Sequence, residues 1–261
     1  MEARMVASQG PGFKWNCCCV GGARLDSPLM DSMQLSIIIP VLNEADAIRG
    51  TLQALQPLRQ AGHEVILADG GSLDGTVEAA VDLYDQWVSA SPGRAIQMNA
   101  GAKQASGNLL LFLHADTTLP DDAAEWLERF WQSGRAWGRF DVRLSGERVI
   151  FRVIAFFMNA RSRLTGICTG DQAQFVRRSL FERLGGFAPM PLMEDVELSA
   201  RLKQHTRPFC VPSPVTTDSR RWEVNGPWRT IALMWRLRWE YWRGVPVERL
   251  VARYYPSRKS S

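Results

Sequence analysis

The chain has 261 residues, of which 46% are hydrophobic and 22% charged, and its formal charge is +4. This composition is typical of a globular protein and argues against a disordered chain. No apolar run reaches the ~20 residues that a membrane-spanning helix needs, so no such helix is predicted. The charge is uneven, because residues 220–261 contain ten Lys and Arg but only three Glu.

The N-terminal segment differs in composition from the rest of the chain. Residues 1–32 are rich in Gly, Ser and Cys and lack helical or strand periodicity, so we expect a disordered extension. The consecutive cysteines at 17–19 lack the spacing of a disulfide framework or a zinc site, which favours a reducing cytosol. Met33 opens the folded pattern and is a candidate alternative start. The predicted divisions are an extension at 1–32, a main domain at 33–222 and a Trp- and Arg-rich helix and tail at 223–261.

Strands and helices alternate through the first half of the chain, with polar residues at the strand ends. The segment 34–40 predicts a first strand that ends at Pro40, and Asn43 is predicted as the N-cap of the next helix. A second strand, 65–68, ends in Asp69 within a Gly-rich turn. This order predicts a parallel sheet with helical crossovers.

The apolar segment 109–113 predicts a strand buried on both faces, and it ends in His114 and Asp116. Ligands of open α/β sheets bind beyond the carboxyl ends of the strands, so we expect the polar strand ends to line one crevice. An Asp at a strand end can also serve only as a turn former. Because the other predicted strand ends also carry polar residues, a binding site is favoured over a turn former.

The nature of the turns excludes two common nucleotide-binding classes. Neither a Gly-x-Gly-x-x-Gly turn nor a Gly-x-x-x-x-Gly-Lys-Ser/Thr loop is present, so a common dehydrogenase and a P-loop protein are not predicted. Carboxylates accept hydrogen bonds and bind hard cations. Asp69 is therefore a candidate partner of a base or ribose, and Asp116 of a divalent cation that bridges two phosphates.

Three ordered motifs carry a family resemblance: SIIIPVLNE at 36–44, ADGGSLDGT at 68–76 and HADT at 114–117. Together they resemble the nucleotide-binding half of the family-two glycosyltransferases, and the similarity extends to about residue 243. Within that family the chain is most similar to a bacterial subgroup with SPGRA, here at 91–95, and HADT.

The resemblance implies a GT-A type α/β fold with a mostly parallel central sheet flanked by helices, a Rossmann-like nucleotide-binding half and a C-terminal amphipathic helix. It also implies a nucleotide-sugar donor, a UDP-sugar as the first choice, and a divalent metal, Mn²⁺ or Mg²⁺. The residues implied around the nucleotide are Pro40, Asn43, Glu44 and Asp69, with Asp116 as the main metal ligand. His114 departs from the family's usual Asp-x-Asp motif, and it could bind the ribose, bind a softer metal or be structural.

Glu194 and Asp195 open a predicted helix, where acidic residues commonly serve only as first-turn charges. Their distance from the metal motif resembles that of the family's catalytic pair, which implies Asp195 as the general base. Inverting transfer needs a carboxylate that takes the proton from the acceptor hydroxyl. Glu194 could raise the pKa of Asp195 by like-charge repulsion or orient it.

Three arginines are candidate ligands of the diphosphate or the acceptor. Arg220 and Arg221 belong to a basic-aromatic segment similar to one in related transferases, and Arg94 lies in the SPGRA motif. Guanidinium groups bind phosphate oxygens in bidentate fashion. A solvated basic turn explains either Arg220 or Arg221 alone about as well.

Two apolar helices are predicted in the second half. The helix at 149–164 packs on the core or contacts an apolar acceptor, with core packing favoured. For the helix at 227–243, a helical wheel puts Trp228, Ile231, Trp235, Trp239 and Trp242 on one face and Arg229, Arg236, Glu240 and Arg243 on a charged strip. This composition predicts peripheral membrane contact and a lipid-like acceptor, while burial of the helix against the domain or a second subunit is an equal alternative.

The predicted function is therefore an inverting, metal-dependent glycosyltransferase, cytoplasmic and peripheral on the cytoplasmic face of the membrane. The alternatives are a nucleotidyltransferase and a non-catalytic nucleotide-sugar binding module on the same scaffold. No nucleic-acid partner is predicted, because the basic residues are few and the aromatics lie on a helix. The sequence does not define the donor sugar, the acceptor or the oligomeric state.

Overall fold

The structure, a computed structural model, describes residues 32–254. The predicted extension at 1–32, apart from Ser32, and the cysteines at 17–19 lie outside the described residues. Within residues 32–254, no helix is both long enough and apolar enough to cross a bilayer.

The described residues form eight strands and eleven helices, together with a 3₁₀ turn at Gly170–Gln172. The strands are β1 (Leu35–Val41), β2 (Glu64–Asp69), β3 (Gln86–Ser89), β4 (Leu109–Phe112), β5 (Thr117–Thr118), β6 (Trp137–Leu144), β7 (Phe175–Arg177) and β8 (Phe209–Thr217). The helices are α1 (Ala45–Ala54), α2 (Gln56–Gln60), α3 (Thr76–Ala80), α4 (Arg94–Gln104), α5 (Ala123–Gln132), α6 (Val149–Thr165), α7 (Arg178–Arg183), α8 (Glu194–His205), α9 (Arg220–Asn225), α10 (Pro227–Trp242) and α11 (Val247–Tyr254).

All eight strands belong to one sheet, in the order β3-β2-β1-β4-β7-β6-β8-β5. The four strands β3, β2, β1 and β4 run parallel, as the alternating pattern predicts. β7 is antiparallel to both β4 and β6, whereas β6 and β8 are parallel to each other. The sheet is therefore parallel in its first half and mixed in its second half.

The core lies on both faces of β1, whose residues are all buried. Successive strand side chains point to opposite faces. Ile37 and Ile39 accordingly pack with Ile48 of α1, while Ile38 packs with Met98 of α4. Helices thus cover both faces of the parallel half, which is why its strands are continuously apolar.

α4 approaches the sheet closely at Gly101. A methyl group added there would lie 2.6 Å from Ile38 Cγ2, which is closer than real side chains pack. The short side chains on this stripe of α4 are therefore required by the small distance between helix and sheet. This close approach fixes the start of α4, and with it Arg94, beside the ends of β1 and β2.

Two local predictions were wrong. The N-cap of α1 is Glu44, and Asn43 precedes it in the left-handed region with φ 57°, a conformation that Asn tolerates better than most residues. The spacing of Val77, Val81 and Leu83 predicts a longer helix after the Gly-rich turn, but α3 ends at Ala80 and Val81 is half exposed.

β8 was not predicted, and its composition explains why. Pro212 and Pro214 lie within it, and proline is unusual in an interior strand because it lacks a donor N–H group. The register between β6 and β8 shifts between Phe140 and Asp141, opposite these prolines. The irregular pairing accommodates them.

The C-terminal helices pack on the loop that precedes α8. Leu237 of α10 and Leu250 of α11 form a buried cluster with Leu192 and Met193. The predicted helix at 227–243 corresponds to α10, but Glu240 is only 7% exposed and does not belong to an exposed charged strip. α9 spans the expected division between residues 222 and 223, and that division stays a prediction.

We expect Gly101→Ala and Gly50→Ala to change stability in opposite directions. Both glycines lie inside helices, but a methyl group at Gly50 meets nothing within 4 Å. Gly50→Ala should increase the free energy of unfolding by about 0.5–1 kcal/mol, whereas overpacking should make Gly101→Ala lower it by about 1–3 kcal/mol. Urea denaturation measures both, and equal effects would contradict the close packing of α4 on β1.

Candidate active site

A cavity of about 360 Å³ lies at the carboxyl ends of β1 and β4. Its walls come from the end of β1, the start of α4, the segment after β4 and two residues from the second half of the chain. The lining residues are Pro40, Val41, Leu42, Glu44, Pro92, Gly93, Arg94, Gln97, His114, Ala115, Asp116, Pro191 and Val251. The cavity is therefore located where ligands bind in open α/β sheets.

Five of the predicted nucleotide- and metal-binding residues line this cavity: Pro40, Glu44, Arg94, His114 and Asp116. They come from three segments that are distant in sequence. The parallel pairing of β1 with β4 brings the first and last of these segments together.

Asp69 and Asn43 do not line the cavity but organise the Gly-rich turn beside it. Asp69 accepts hydrogen bonds from the backbone N–H of Gly71 at 3.1 Å and from the N–H and hydroxyl of Ser72 at 3.0 and 2.6 Å. Asn43 Oδ1 accepts a hydrogen bond from the N–H of Leu73 at 2.9 Å. These bonds hold the turn against the end of β1, and contact of either residue with a nucleoside stays a prediction.

Acidic groups dominate the electrostatics of the cavity floor. Burial raises the pKa of Glu44, and the nearby carboxylate of Asp116 raises it further. The positive charges of Arg220 and His114 oppose both effects without cancelling them. A positively charged ligand at this place would relieve the repulsion between Glu44 and Asp116.

His114 is held by Asp171, which the sequence analysis did not identify. His114 Nδ1 lies 3.6 Å from Asp171 Oδ1. Burial and the charge of Arg94 would lower the pKa of His114, but the interaction with the Asp171 carboxylate and the charge of Asp116 outweigh them, so the pKa is raised. No strand-end pattern precedes Asp171, and its position beside HADT in space depends on the antiparallel β4–β7 pair.

Gly170 connects His114 with Asp195. Its N–H donates a hydrogen bond of 2.6 Å to Asp195 Oδ2, and a side chain at this position would overlap the His114 imidazole at Nε2 and Cε1. Any other residue at position 170 would displace the imidazole, so only glycine fits here. A single residue thus separates the wall of the cavity from the predicted general base.

Glu194 and Asp195 begin α8 and differ in their surroundings. Glu194 is 2% exposed, and its Oε1 forms an ion pair with Arg94 Nε at 3.0 Å. Burial and the charge of Glu194 raise the pKa of Asp195 to about 6, although Arg94 and the N–H groups of Gly170 and Val196 oppose the shift. The raised pKa makes the carboxylate of Asp195 a better proton acceptor than an ordinary aspartate, and its role as a general base stays a prediction.

The two C-terminal arginines have different positions. Arg220 Nε donates to Asp218 Oδ2 at 2.5 Å, and the N–H of Asp218 donates to the backbone carbonyl of Asp116 at 3.2 Å, so Arg220 lies near the metal motif. Arg221 bonds to the hydroxyl of Tyr254 in α11, and its guanidinium carbon lies 3.7 Å from the centre of that ring. A role of either arginine on the diphosphate stays a prediction.

The donor groups fit a metal that is shared with a phosphate ligand. Within residues 32–254, no cluster of three or more His, Cys, Asp or Glu side chains could hold a metal ion. Asp116 lies exposed at the cavity with Glu44 nearby. Mg²⁺ in particular is commonly bound by one or two carboxylates together with water and phosphate oxygens, and this site provides the protein part of such a shell.

The fold and the cavity define an α/β protein with a candidate ligand site beyond the carboxyl ends of its parallel strands. A family profile described as glycosyl transferase family 2 matches residues 36–185, more than half of the chain. The chain belongs to this family, which confirms the predicted family membership. The bacterial subgroup with SPGRA and HADT stays a prediction.

Several curated proteins share sequence similarity over most of the chain. The probable glycosyltransferase YdaM of Bacillus subtilis is 27% identical over 240 residues, which cover 81% of this chain and 55% of YdaM. The succinoglycan biosynthesis protein ExoA of Rhizobium meliloti is 29% identical over 208 residues, 68% of this chain and 60% of ExoA. The chain thus spans little more than half the length of these relatives.

Solved structures confirm the GT-A fold. The glucosyl-3-phosphoglycerate synthase of Mycobacterium tuberculosis with Mn²⁺, UDP and glucosyl-3-phosphoglycerate is 19% identical, with a TM-score of 0.56 over 86% of this chain and 80% of that chain. The mannosyltransferase PcManGT of Pyrobaculum calidifontis with GDP-Man and Mn²⁺ is 23% identical, with a TM-score of 0.54 over 71% and 56%. S. aureus TarS 1-349 with UDP-GlcNAc is 16% identical, with a TM-score of 0.55 over 71% and 58%.

We expect Asp171→Asn to lower the pKa of His114. The wild-type pKa of His114 should lie above, and that of His63 below, the ordinary value, because burial lowers the pKa of His63. The chain has three histidines, so NMR titration can resolve them. His63 serves as the internal control, and an unchanged His114 pKa would contradict the pair with Asp171.

The same variant should change the pH dependence of stability. Because the folded state raises the pKa of His114, the imidazolium stabilises the native protein fully below the unfolded-state value of ~6.5, and this stabilisation is lost as the pH rises through the folded-state value. The free energy of unfolding of wild type should therefore exceed that of Asp171→Asn by a larger amount at pH 5.5 than at pH 8. Urea titration at the two pH values measures the difference.

Proposed function

We propose that this protein is an inverting, metal-dependent glycosyltransferase that moves a sugar from a nucleotide-sugar donor to an acceptor hydroxyl, with Asp195 as the general base. The observation that carries the proposal is the position and pKa of Asp195. Its carboxylate, with a pKa of about 6, is joined through Gly170 to His114 in the wall of the cavity. Asp195 does not itself line the cavity, and Gly170 and His114 connect it to the cavity wall.

The donor side is assigned to the residues that line the cavity. Asp116 would hold Mn²⁺ or Mg²⁺ together with the diphosphate, and such an ion supplies positive charge where the leaving group becomes more negative. Pro40 and Glu44 would contact the nucleoside, with Asp69 and Asn43 shaping the adjacent turn. A UDP-sugar is the first choice, and complexes of TarS with UDP-GlcNAc and of PcManGT with GDP-Man show that similar folds accept either base.

The acceptor side is assigned to Asp195. In its ionised form it takes the proton of the acceptor hydroxyl while the oxygen forms a bond to the anomeric carbon. The bond from that carbon to the diphosphate oxygen breaks, and its electron pair leaves with the nucleoside diphosphate. Attack opposite the leaving group inverts the configuration. Arg94 forms an ion pair with Glu194 and would hold this second carboxylate in place beside the base.

Two other functions for this scaffold give different products. A nucleotidyltransferase would catalyse attack of its substrate on a phosphorus atom and release pyrophosphate. A binding module would be stabilised by nucleotide without turnover. A thermal shift screen of the full chain with nucleotides and sugar nucleotides, with and without Mn²⁺, finds the donor. Analysis for released nucleoside diphosphate or pyrophosphate then separates the three functions.

We also propose peripheral membrane contact through α10 on the cytoplasmic face, with a lipid-like molecule as one option for the acceptor. Trp228, Trp235, Trp239 and Trp242 are between 57% and 80% exposed, at spacings of seven, four and three residues that keep them on one side of the helix. Ile231 of α10 packs against the cluster of Phe151 and Ile154 of α6. Exposed tryptophans with neighbouring arginines are typical of helices that lie in a bilayer interface.

α6 adds exposed aromatic residues beside this contact. The predicted core packing applies to one side of α6, where Phe151 and Ile154 are buried, but Phe156 and Phe157 are each 65% exposed. Arginines are also exposed along α10 and at its C-terminal end, at positions Arg229, Arg236 and Arg243. Their positive charges would attract anionic lipids.

We expect Asp195→Asn to lower transfer by about 10²–10⁴-fold with the fold intact. In wild type, kcat/KM should fall as the pH drops below about 6, because Asp195 must be ionised to accept a proton. Glu194→Gln should shift this fall in kcat/KM to lower pH, because it removes the like charge that raises the pKa of Asp195. Full activity of Asp195→Asn, with circular dichroism showing both variants folded, would refute the assignment.

We expect the full chain to float with liposomes that contain anionic phosphatidylglycerol, less at high salt, and Trp235→Ser/Trp239→Ser to float several-fold less. Val81→Ser, half exposed after α3 on the other half of the sheet, is the matched control. Absence of flotation at low salt would remove the membrane proposal, and a tryptophan-dependent dimer in size-exclusion chromatography would assign the surface to a second copy.

A further inference from the structure

We propose that Arg161 binds an anionic group, a carboxylate or a phosphate, of the acceptor molecule. The proposal goes beyond the glycosyltransferase function and rests on it in one respect, namely that the side of Asp195 receives the acceptor. It makes the acceptor a hydroxylated anion, such as a hydroxy acid or a phosphate ester. Its carboxylate or phosphate would lie near the hydroxyl that reacts.

The Arg161 guanidinium is the first observation. Its Nε and Nη2 atoms are buried, and neither forms a hydrogen bond with any residue in the described part of the chain. These two nitrogens lie along the same edge of the planar group, and their N–H bonds are parallel. Two parallel donors match the two oxygens of a carboxylate or phosphate, which is the strongest geometry that arginine offers.

A neighbouring arginine shows that this region can pair a buried guanidinium. Arg139 is fully buried, yet it forms an ion pair with Asp141 and donates to the backbone carbonyl of Asn159. Arg161 lies two residues after Asn159 on the same helix, and no carboxylate reaches it within 4 Å in the described residues. A ligand would supply the missing partner.

Contacts of α6 place Arg161 beside the reactive groups. Asn159 Oδ1 accepts a hydrogen bond of 3.3 Å from Gln172 in the 3₁₀ turn that also contains Gly170. The charges of Asp195 and Asp171 act on Arg161 through space. The group therefore lies close enough to the base to influence it and too far to bond with it.

A second side chain near the turn also lacks partners. Gln174, which follows the turn and is 2% exposed, has a side-chain oxygen and nitrogen that form no hydrogen bond with the described residues. Buried polar groups are nearly always hydrogen-bonded, so each exception calls for a ligand or water. The side chain of Gln174 thus offers one further donor and one acceptor near the turn.

Buried guanidinium nitrogens without a hydrogen-bond partner are costly for the fold, and the cost is offset when an anion binds. Arg161→Gln removes the charge and keeps a polar side chain of moderate length. The melting temperature of Arg161→Gln should therefore rise by about 2–4 °C, while its affinity for oxyanions falls. A residue with only a structural role would lower stability when replaced.

The first experiment measures binding without catalysis. The full chain is saturated with nucleoside diphosphate and Mg²⁺, so that the diphosphate site is filled, and inorganic phosphate or glycerate is then titrated by calorimetry. Wild type should bind at least tenfold more tightly than Arg161→Gln, with Arg161→Lys between them. Arg152→Gln, an exposed arginine of α6, is the matched control and should bind as wild type does.

The second experiment measures transfer to glycerol and to glycerol 3-phosphate, which differ only in the phosphate. Wild type should prefer glycerol 3-phosphate through a lower KM, and Arg161→Gln should lose this preference, whereas the control Arg152→Gln should keep it. The proposal would be overturned if wild type and Arg161→Gln bound oxyanions with equal affinity. It would also be overturned if a crystal grown with phosphate showed only water bound to Arg161. Arg161-dependent binding without any sugar transfer would instead refute the glycosyltransferase function and leave the anion site standing.

Discussion

The pairing of β1 with strands on both sides is the constraint on which the site depends. β1 is buried along its whole length and is parallel to β2 on one side and to β4 on the other. Parallel strands present their carboxyl ends at the same edge, so the turns after these strands must meet there. A shift of one residue in this register would move Ile37 and Ile39 to the opposite face and separate the turn at Glu44 from Asp116.

Charge balance is the second property that shapes the site. Glu44 and Asp116 line the cavity, and the positive charges of Arg220 and His114 do not prevent a raised pKa of Glu44. Asp171 lies behind His114, and the charges of His114, Arg94 and Arg221 lower its pKa. At the start of α8, Arg94 forms an ion pair with Glu194, while burial and the charge of Glu194 raise the pKa of Asp195. The two neighbouring carboxylates therefore differ in their surroundings, and Asp195 is a better proton acceptor than an ordinary aspartate.

The parts of the structure that depend on local patterns could be predicted from the sequence, and those that depend on distant packing could not. Continuous apolar strands followed by Asp69 and Asp116 predict the parallel half and its edge, because the period and the strand end are both local signals. Asp171 carries no such signal, since the β4–β7 pair alone brings it to His114. β8 was missed because its prolines suggest a loop, and the position of Arg221 on Tyr254 depends on how α11 packs.

The packing of the C-terminal helices determines how far the chain can be shortened. Val251 of α11 forms part of the cavity wall, and Glu240 bonds to both Arg236 and Arg253, which ties α11 to α10. A protein that stopped at the end of α10 would lose one side of its cleft and uncover the apolar surface of Leu192 and Met193 next to α8. The last described helix is therefore a component of the catalytic half of the molecule, and truncation there would alter the cleft itself.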